Sequence, residues 1–510
     1  MAAAVNWSVE ILEWGSGAYL FSPEICQPLR LAWSDQSGPE RALIACPNRQ
    51  MTLKDWMRFL GQDLRVYDQQ GRLAWWGFLE SVSQRVDGKV YELDLAAVAN
   101  RVAVRYQESD DPRAGTRLSA WHDHLLSQER FGIKEKILWR RFLSSAAAEA
   151  IAQAKVEELA FPQTYLKQAD RDFGKESEGF VLNCRGWIQT LDWRIWNGWS
   201  GVVEHRPAQL GVQLLGSQTA DGRAAQSFIL PTAMEAFSAS IRARKQGSPT
   251  DGLRVSLQTN LNGKPSGIVL ASQSVPASQI DEQAYQWLDL NLTPNVSLGA
   301  NTRYWLVVER LGAYDPLNAY WLGVDENLGF NDGICLIHNG SDWQRRSPEA
   351  DLLFRFVGKK DFRLQLVEVV QYGSPFLNGV DTSQLESASL PVFAGKGATC
   401  LESFFDLLEQ GNAFPGGLRV SVSPGRRVEL APLAMVKDAL YYLENDGTIS
   451  NRFGQKLTAP WHAVGEWLHT NASQPIYVKA IALEPQNDRL SINGSVRVYE
   501  NSYGITNARI

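Results

Sequence analysis

The sequence predicts a mainly β, multidomain fold. It consists of β-barrel or sandwich domains towards the two ends, a short helical segment after the first, and an inserted antiparallel, jelly-roll-like β-sandwich. Three observations carry this expectation. The chain has 510 residues, well beyond the size at which a single hydrophobic core stops growing. From Phe228 to Val308 apolar and polar residues alternate with period two, as in Ala236–Lys245 and Leu253–Thr259, which is the pattern of half-buried strands. Turn clusters at Gly247–Gly252 and Asn262–Gly267 punctuate that run, and Tyr285–Leu292 and Arg303–Val308 add aromatic and β-branched strands. A two-sheet sandwich needs all of these, and no helix of ordinary length fits the stretch.

Taken in order, residues 1–106 read as a compact β-rich domain. Ser8–Leu12, Leu29–Trp33 and Arg41–Cys46 are short strands, and Leu64–Asp68 and Leu73–Val82 flank the turn Gln69-Gln70-Gly71-Arg72 as a hairpin. Residues 107–203 form a helical and connecting segment, with helices expected over Ser119–Leu126 and Glu129–Leu159. Its Ala-rich part, Phe142–Ala154, is suited to packing on the neighbouring β domain or against another subunit. Gly186–Asn197 reads as an aromatic strand joining two domains; its tryptophans leave a sugar-stacking platform open. Residues 204–358 are the sandwich. Residues 359–470 form an α+β domain: a strand at Phe362–Val370, an amphipathic helix at Ala398–Gly411 with Gly411 at its C-cap, and a hairpin of Leu418–Val422 and Arg427–Leu430. Residues 471–510 supply the closing strands.

Several of these stretches resemble a known family. Trp76-Gly77-Phe78, then Leu93-Asp94 and Ala99-Asn100-Arg101-Val102, look like the first hub domain of tailed-phage tail-tip proteins. Gly186-Trp187-Ile188-Gln189-Thr190-Leu191-Asp192-Trp193-Arg194-Ile195-Trp196 is similar to the segment that precedes an inserted sandwich in those proteins. Asp446–Gly454 followed by Pro460–Gly465 matches a third block, and the helix-then-hairpin after residue 398 resembles a second hub domain. The central stretch, with Gly252–Val255, Pro265–Ala271, Tyr285-Gln286-Trp287 and Tyr304–Val308, is similar to a choice-of-anchor R domain. The resemblance implies a structural virion protein forming the hub at a phage tail tip, where it closes or continues the tail tube and displays the sandwich outward. It also implies a homotrimer, with a sixfold ring as the alternative. The implied partners are a distal tail protein ring and a tape-measure protein, and the location is the virion, after synthesis in the host cytoplasm.

Composition narrows the field. A net charge of −6 argues against a general nucleic-acid binder, and no nucleic-acid-binding motif is seen. The five cysteines, Cys26, Cys46, Cys184, Cys335 and Cys400, are scattered without metal spacing, so reduced, mostly buried thiols are expected. Met1–Trp7 lacks a basic region followed by an apolar core, and no apolar run is long enough for a membrane span.

The sequence offers no enzyme template: no His-Glu-x-x-His, P-loop, Gly-x-Ser-x-Gly or Cys-x-x-Cys occurs. No catalytic residue, cofactor or metal is therefore expected. The nearest metal-like groups are His122-Asp123-His124 and the oxygen-rich Asp325–Asn327 with Asn331–Gly333, and both residue sets are ordinary in turns and surfaces. The rival function is a host-surface carbohydrate-binding adhesin. In that reading Tyr314, Tyr320, Trp321 and Trp343 in the late part of the sandwich would stack on glycan. The same rings would serve equally as core or subunit contacts.

Overall fold

The computed structural model describes residues 7–47, 51–87, 89–109, 116–167, 179–196, 201–207, 209, 211–218, 221–327, 330–392, 397–411, 417–433, 441–444, 448–469, 475–485, 489–500 and 504–509. The chain divides into two compact units. The first is built from three separated stretches, Met1–Trp196, Leu366–Glu386 and Ala398–Ile510; the second comprises Asn197–Gln365 and Ser387–Gly397.

A fifteen-stranded sheet runs through the first unit. Leu73–Val86 pairs antiparallel with Asp63–Tyr67 on one side and Phe180–Arg185 on the other. Gln27–Ser34 pairs both with Gly38–Cys46 and with Ile476–Glu484, so that Leu31 faces Leu483 across the ladder. Alternation explains these strands: Val9, Ile11, Ile44, Leu64, Val66 and Leu182 are fully buried, with more polar residues between them. The sheet does not close into a barrel among the described residues, and the architecture is mainly β, multidomain and sandwich-like.

Two glycines in the first unit are fixed by close approach. A Cβ on Gly77 would lie 2.1 Å from the Arg185 carbonyl oxygen, and one on Gly186 would lie 1.8 Å from that of Pro39. Both contacts are to backbone, which cannot swing aside. Nearby, Asn100 is fully buried and ties three loops together. Its Nδ2 donates to the Gly132 carbonyl (2.8 Å) and the Ser127 hydroxyl (3.2 Å), and its Oδ1 accepts from the Lys134 amide (2.7 Å). The adjacent Arg101 pairs with Glu135 at 3.3 Å and Asp123 at 3.4 Å.

Three local expectations are corrected. The connecting segment contains helices Leu125–Phe131 and Ser145–Leu159, but between them Glu135–Arg141 is a strand, parallel to Arg101–Gln107. Gly132, at φ +72°, ends the first helix, which a continuous helical reading overlooks. Trp187–Trp193 is a 3-10 helix, not a strand, because Trp187, Ile188 and Leu191 bury one helical face. Phe362–Gly373 is an α-helix; Phe362, Leu366, Val369 and Val370 are buried at i, i+4, i+7 and i+8, and Asp361 Oδ1 accepts from the Arg363 amide at its start. Tertiary burial here overrides the β-propensity of a valine-rich run. Cys400–Gln410 is a helix, as expected, with a Thr399/Glu402 capping box and Gly411 at its C-cap, where it keeps a right-handed φ of −68°. In the Ala-rich helix Ala148 and Ala152 pack on Val104 and Tyr106 of the four-stranded sheet. Asp446 and Gly447 of the third resembling block lie outside the described residues.

The second unit is a sandwich of a nine-stranded and a six-stranded sheet. One core fills the space between them. Phe228, Leu253, Val255, Leu257, Tyr304 and Leu306 come from the smaller sheet, and Ala239, Ile241, Leu290, Tyr320, Leu322, Phe354 and Phe356 from the larger. Phe228 meets Phe356 at 5.0 Å between ring centroids. Each of the valine, leucine, isoleucine and phenylalanine side chains contributes about 1.5–3 kcal/mol by leaving water. Between its strands lies the 3-10 turn Ala277–Gln279. Ser389–Pro391 returns to pair with Lys359–Asp361 at the edge of the larger sheet.

Candidate functional site

The outer face of the nine-stranded sheet carries the most unusual group of side chains in the second unit. Strand Met234–Gln246 sends Ala239, Ile241 and Ala243 into the core. Because side chains alternate, Ser240, Arg242, Arg244 and Gln246 must line the opposite face. Register decides their neighbours. Arg242 lies opposite Trp287 of Gln286–Asn291, and Arg244 lies opposite Trp321 of Ala319–Asp325.

The result is an interleaved row of guanidinium groups and rings. The Arg244 guanidinium carbon sits 4.3 Å from the Trp321 ring centroid and 5.1 Å from that of Tyr285. Arg206 covers Trp287 at 4.4 Å. Trp321 Nε1 donates to Gln246 Oε1 at 2.8 Å, which fixes the indole plane. Planar guanidinium suits such stacking, each contact contributing roughly 0.5–1 kcal/mol at an exposed position. Gly323 leaves room beside this row: a Cβ there would lie 3.0 Å from Gln209 Oε1 and 3.3 Å from Arg242 Cβ.

Hydrogen bonding on this face is incomplete. The Nε atoms of Arg242 and Arg244 and the Tyr285 hydroxyl are inaccessible and have no hydrogen-bond partner of acceptable geometry. Burial pushes the Tyr285 hydroxyl pKa up, while the nearby Arg244 and Gln209 side chains oppose the shift. Two carboxylates of the face are bonded to other groups. Glu204 pairs with Arg355 at 3.3 Å, and Asp289 accepts from the Ser240 hydroxyl. Among the described residues neither Arg242 nor Arg244 has a carboxylate within ion-pair distance.

The four rings proposed from sequence do not converge. Trp321 belongs to the row just described. Tyr320, its neighbour on the strand, is fully buried in the core and donates its hydroxyl to Asp251 Oδ1 at 3.1 Å. Alternation along the strand therefore removes Tyr320 as a stacking surface. Tyr314 is 61% exposed in the loop before that strand. Trp343 lies on the other sheet, packed against a small outer cluster with Trp305 and Leu336 and set edge-on to His338. The sequence names Tyr285 and Trp287 only for the family resemblance and gives no binding role to them or to Arg242 and Arg244, since an outward residue on a strand looks like an ordinary solvated position until its register is known.

The remaining candidates are absorbed by structure. His122 Nε2 lies 2.8 Å from Glu149 Oε2, and His124 Nδ1 accepts from the Ser127 amide as a helix N-cap. Asp325 is bonded to His205 at 3.0 Å, and Glu326 pairs with Arg346. Among the described residues no group of three or more His, Cys, Asp or Glu is placed to hold a metal ion. Trp187 and Trp196 are buried in the first unit, and Trp193 packs on Phe78 and Phe376. Trp199 lies outside the described residues. The first unit also holds a cleft of about 400 Å³ lined by Trp33, Trp76, Pro424, Trp461 and His462. Trp76 Nε1 donates there to the Val422 carbonyl at 2.9 Å.

The fold defines a mainly β, multidomain protein with a sandwich-like architecture. No family model matches the chain. No curated protein matches it either. Among solved structures it is similar, with a TM-score of 0.18 and 9% identity, to the mosquito-larvicidal Cry4Aa toxin from Bacillus thuringiensis, with 58% of this chain and 51% of that chain covered. The chain thus spans about half the length of that toxin. T=1 particles derived from infectious bursal virus give a TM-score of 0.14 and 10% identity, covering 65% of this chain and 73% of theirs. The Gt strain of infectious bursal disease virus gives 0.13 and 10%, covering 80% and 85%. At these scores none of the three bears on what this chain does.

Proposed function

We propose that the chain is a structural virion protein, the hub at the tip of a phage tail, with the sandwich as an outward-displayed module and no catalytic role. The observation that favours this reading is the discontinuous first unit. The stretches resembling hub domains, on both sides of the sandwich, fold into one compact body from which the sandwich departs and to which the chain returns. Several residues carrying the resemblance have firm structural duties: Gly77 and Gly186 at close backbone approaches, Asn100 as a buried tie, and Trp76 bonded to the hairpin at Val422. A protein that must assemble has use for such a rigid scaffold. The proposed partners are two further copies, a distal tail protein ring and a tape-measure protein.

Light scattering on the purified protein over a range of concentrations tests this. A stable species near three times 56.9 kDa is expected. A strict monomer, unchanged when a distal tail protein is added, would sink the proposal. The second reading, a host-surface glycan adhesin, is favoured by the arginine and aromatic row of the larger sheet. The two are compatible, one describing assembly and the other the displayed module.

A further inference from the structure

We infer that Arg242 and Arg244 form the anion-binding centre of a site for an acidic saccharide, a pyranose carrying a carboxylate; this rests on the glycan-binding reading of the sandwich. The two arginines are alternate residues of one strand, so their side chains leave the same face about 7 Å apart. Two like charges held so close repel one another unless an anion lies between or over them. Here the neighbouring carboxylates answer other groups, Glu204 to Arg355 and Asp289 to Ser240. One of the two cations is also held in place before any ligand arrives: Arg244 lies over Trp321 and Tyr285, and Trp321 is itself pinned by Gln246. A guanidinium ordered in this way, beside a second one without an ion-pair partner, binds carboxylate with less entropy left to lose.

The surroundings select the kind of anion. Trp287, Trp321 and Tyr285 give the face apolar area within one residue spacing of the charges, and Gln209 and Gln246 supply amide groups beside it. A uronate or sialate pyranose presents a C–H face, hydroxyls and a carboxylate within one rigid ring, which matches that mixture. A glutamate or aspartate side chain on a partner protein offers the charge on a flexible stem without the apolar face.

The test uses the full chain and three acidic probes, oligogalacturonate, sialyllactose and a hyaluronan fragment, each beside its methyl ester, in which the carboxylate charge is removed. Titration is followed by calorimetry and tryptophan fluorescence. At least one acidic probe is expected to bind at least tenfold more tightly than its ester. Arg242→Gln with Arg244→Gln should abolish that preference, and Arg242→Lys with Arg244→Lys should restore part of it. If ester and acid bind equally, the glycan-binding reading stands and the charge inference falls. If none of the six binds at millimolar concentration, both fall. If inorganic phosphate or sulfate displaces the saccharide as well as free uronate does, the site is a general anion site and the inference is wrong. Self-association that disappears in the double glutamine variant would instead make this face a contact between copies, which also overturns it.

Discussion

The ammonium of Lys134 lies 3.7 Å from the centroid of the Trp193 ring, inside the first unit. Burial pushes its pKa down to about 7, against the opposing pull of Glu80, Asp94 and Asp192. The sign of the consequence follows from proton counting. Between about 7 and the ordinary lysine value near 10.5 the unfolded chain holds the proton and the folded chain does not. Stability therefore rises with pH through that window and levels off below it, with a slope of up to about 1.4 kcal/mol per pH unit from this group. Lys134→Met should raise Tm at pH 7 and flatten the profile between pH 7 and 10. Thermal melts at several pH values check both, and an unchanged profile would refute the account.

Asn100→Ala removes the tie among the loops around residues 127–134. It leaves the Gly132 carbonyl and the Lys134 amide without their side-chain partner in a place water does not reach. The expected loss is about 2–4 kcal/mol, read by urea denaturation. A loss below about 0.5 kcal/mol would mean the loops relax freely.

Gly186→Ala forces a methyl group onto the Pro39 carbonyl, where the Gly186 amide already bonds to Glu40 at 3.0 Å. Neither strand can retreat without breaking the ladder. A cost of about 3 kcal/mol or more is expected, seen as a lowered urea midpoint for the first unit.

Asp251→Ala and Trp321→Ala should separate stability from binding in the second unit. Asp251 accepts from Arg310 Nε at 2.6 Å and from the Tyr320 hydroxyl. Its removal strands a nearly buried guanidinium, at about 3–5 kcal/mol. Trp321, half-buried on the outer face, should cost about 1 kcal/mol while reducing saccharide binding at least tenfold. Equal destabilisation by both would place Trp321 among the core residues.

Much of the architecture was readable from alternation. The sandwich strands, the Leu73–Val86 hairpin and the Cys400–Gln410 helix all lie where period-two and 3.6-residue patterns put them. The misread stretches are those where two periods coexist. Phe362–Val370 alternates, yet its buried residues also recur at helical spacing, and only the surrounding core decides between them. Trp187, Ile188 and Leu191 carried the same ambiguity. The binding face was less legible still. Arg242 and Trp287 stand 45 positions apart in the sequence, and nothing local says they are opposite one another. Trp321 stands out in the sequence as an aromatic residue; its arginine partner emerges only from pairing.

The three-stretch construction of the first unit sets an order of events during synthesis. Strand Gln27–Ser34 completes its ladder only with Ile476–Glu484, so an early strand edge waits for roughly 450 further residues, or about 20–90 s at ordinary elongation rates. The sandwich, nearly continuous in the chain, can close during that interval. The nascent protein thus carries a finished module beside an unfinished sheet whose open edge is a template for wrong pairing. Chaperone demand should concentrate on the first unit, and truncation before residue 476 should leave the sandwich folded and the remainder prone to aggregate.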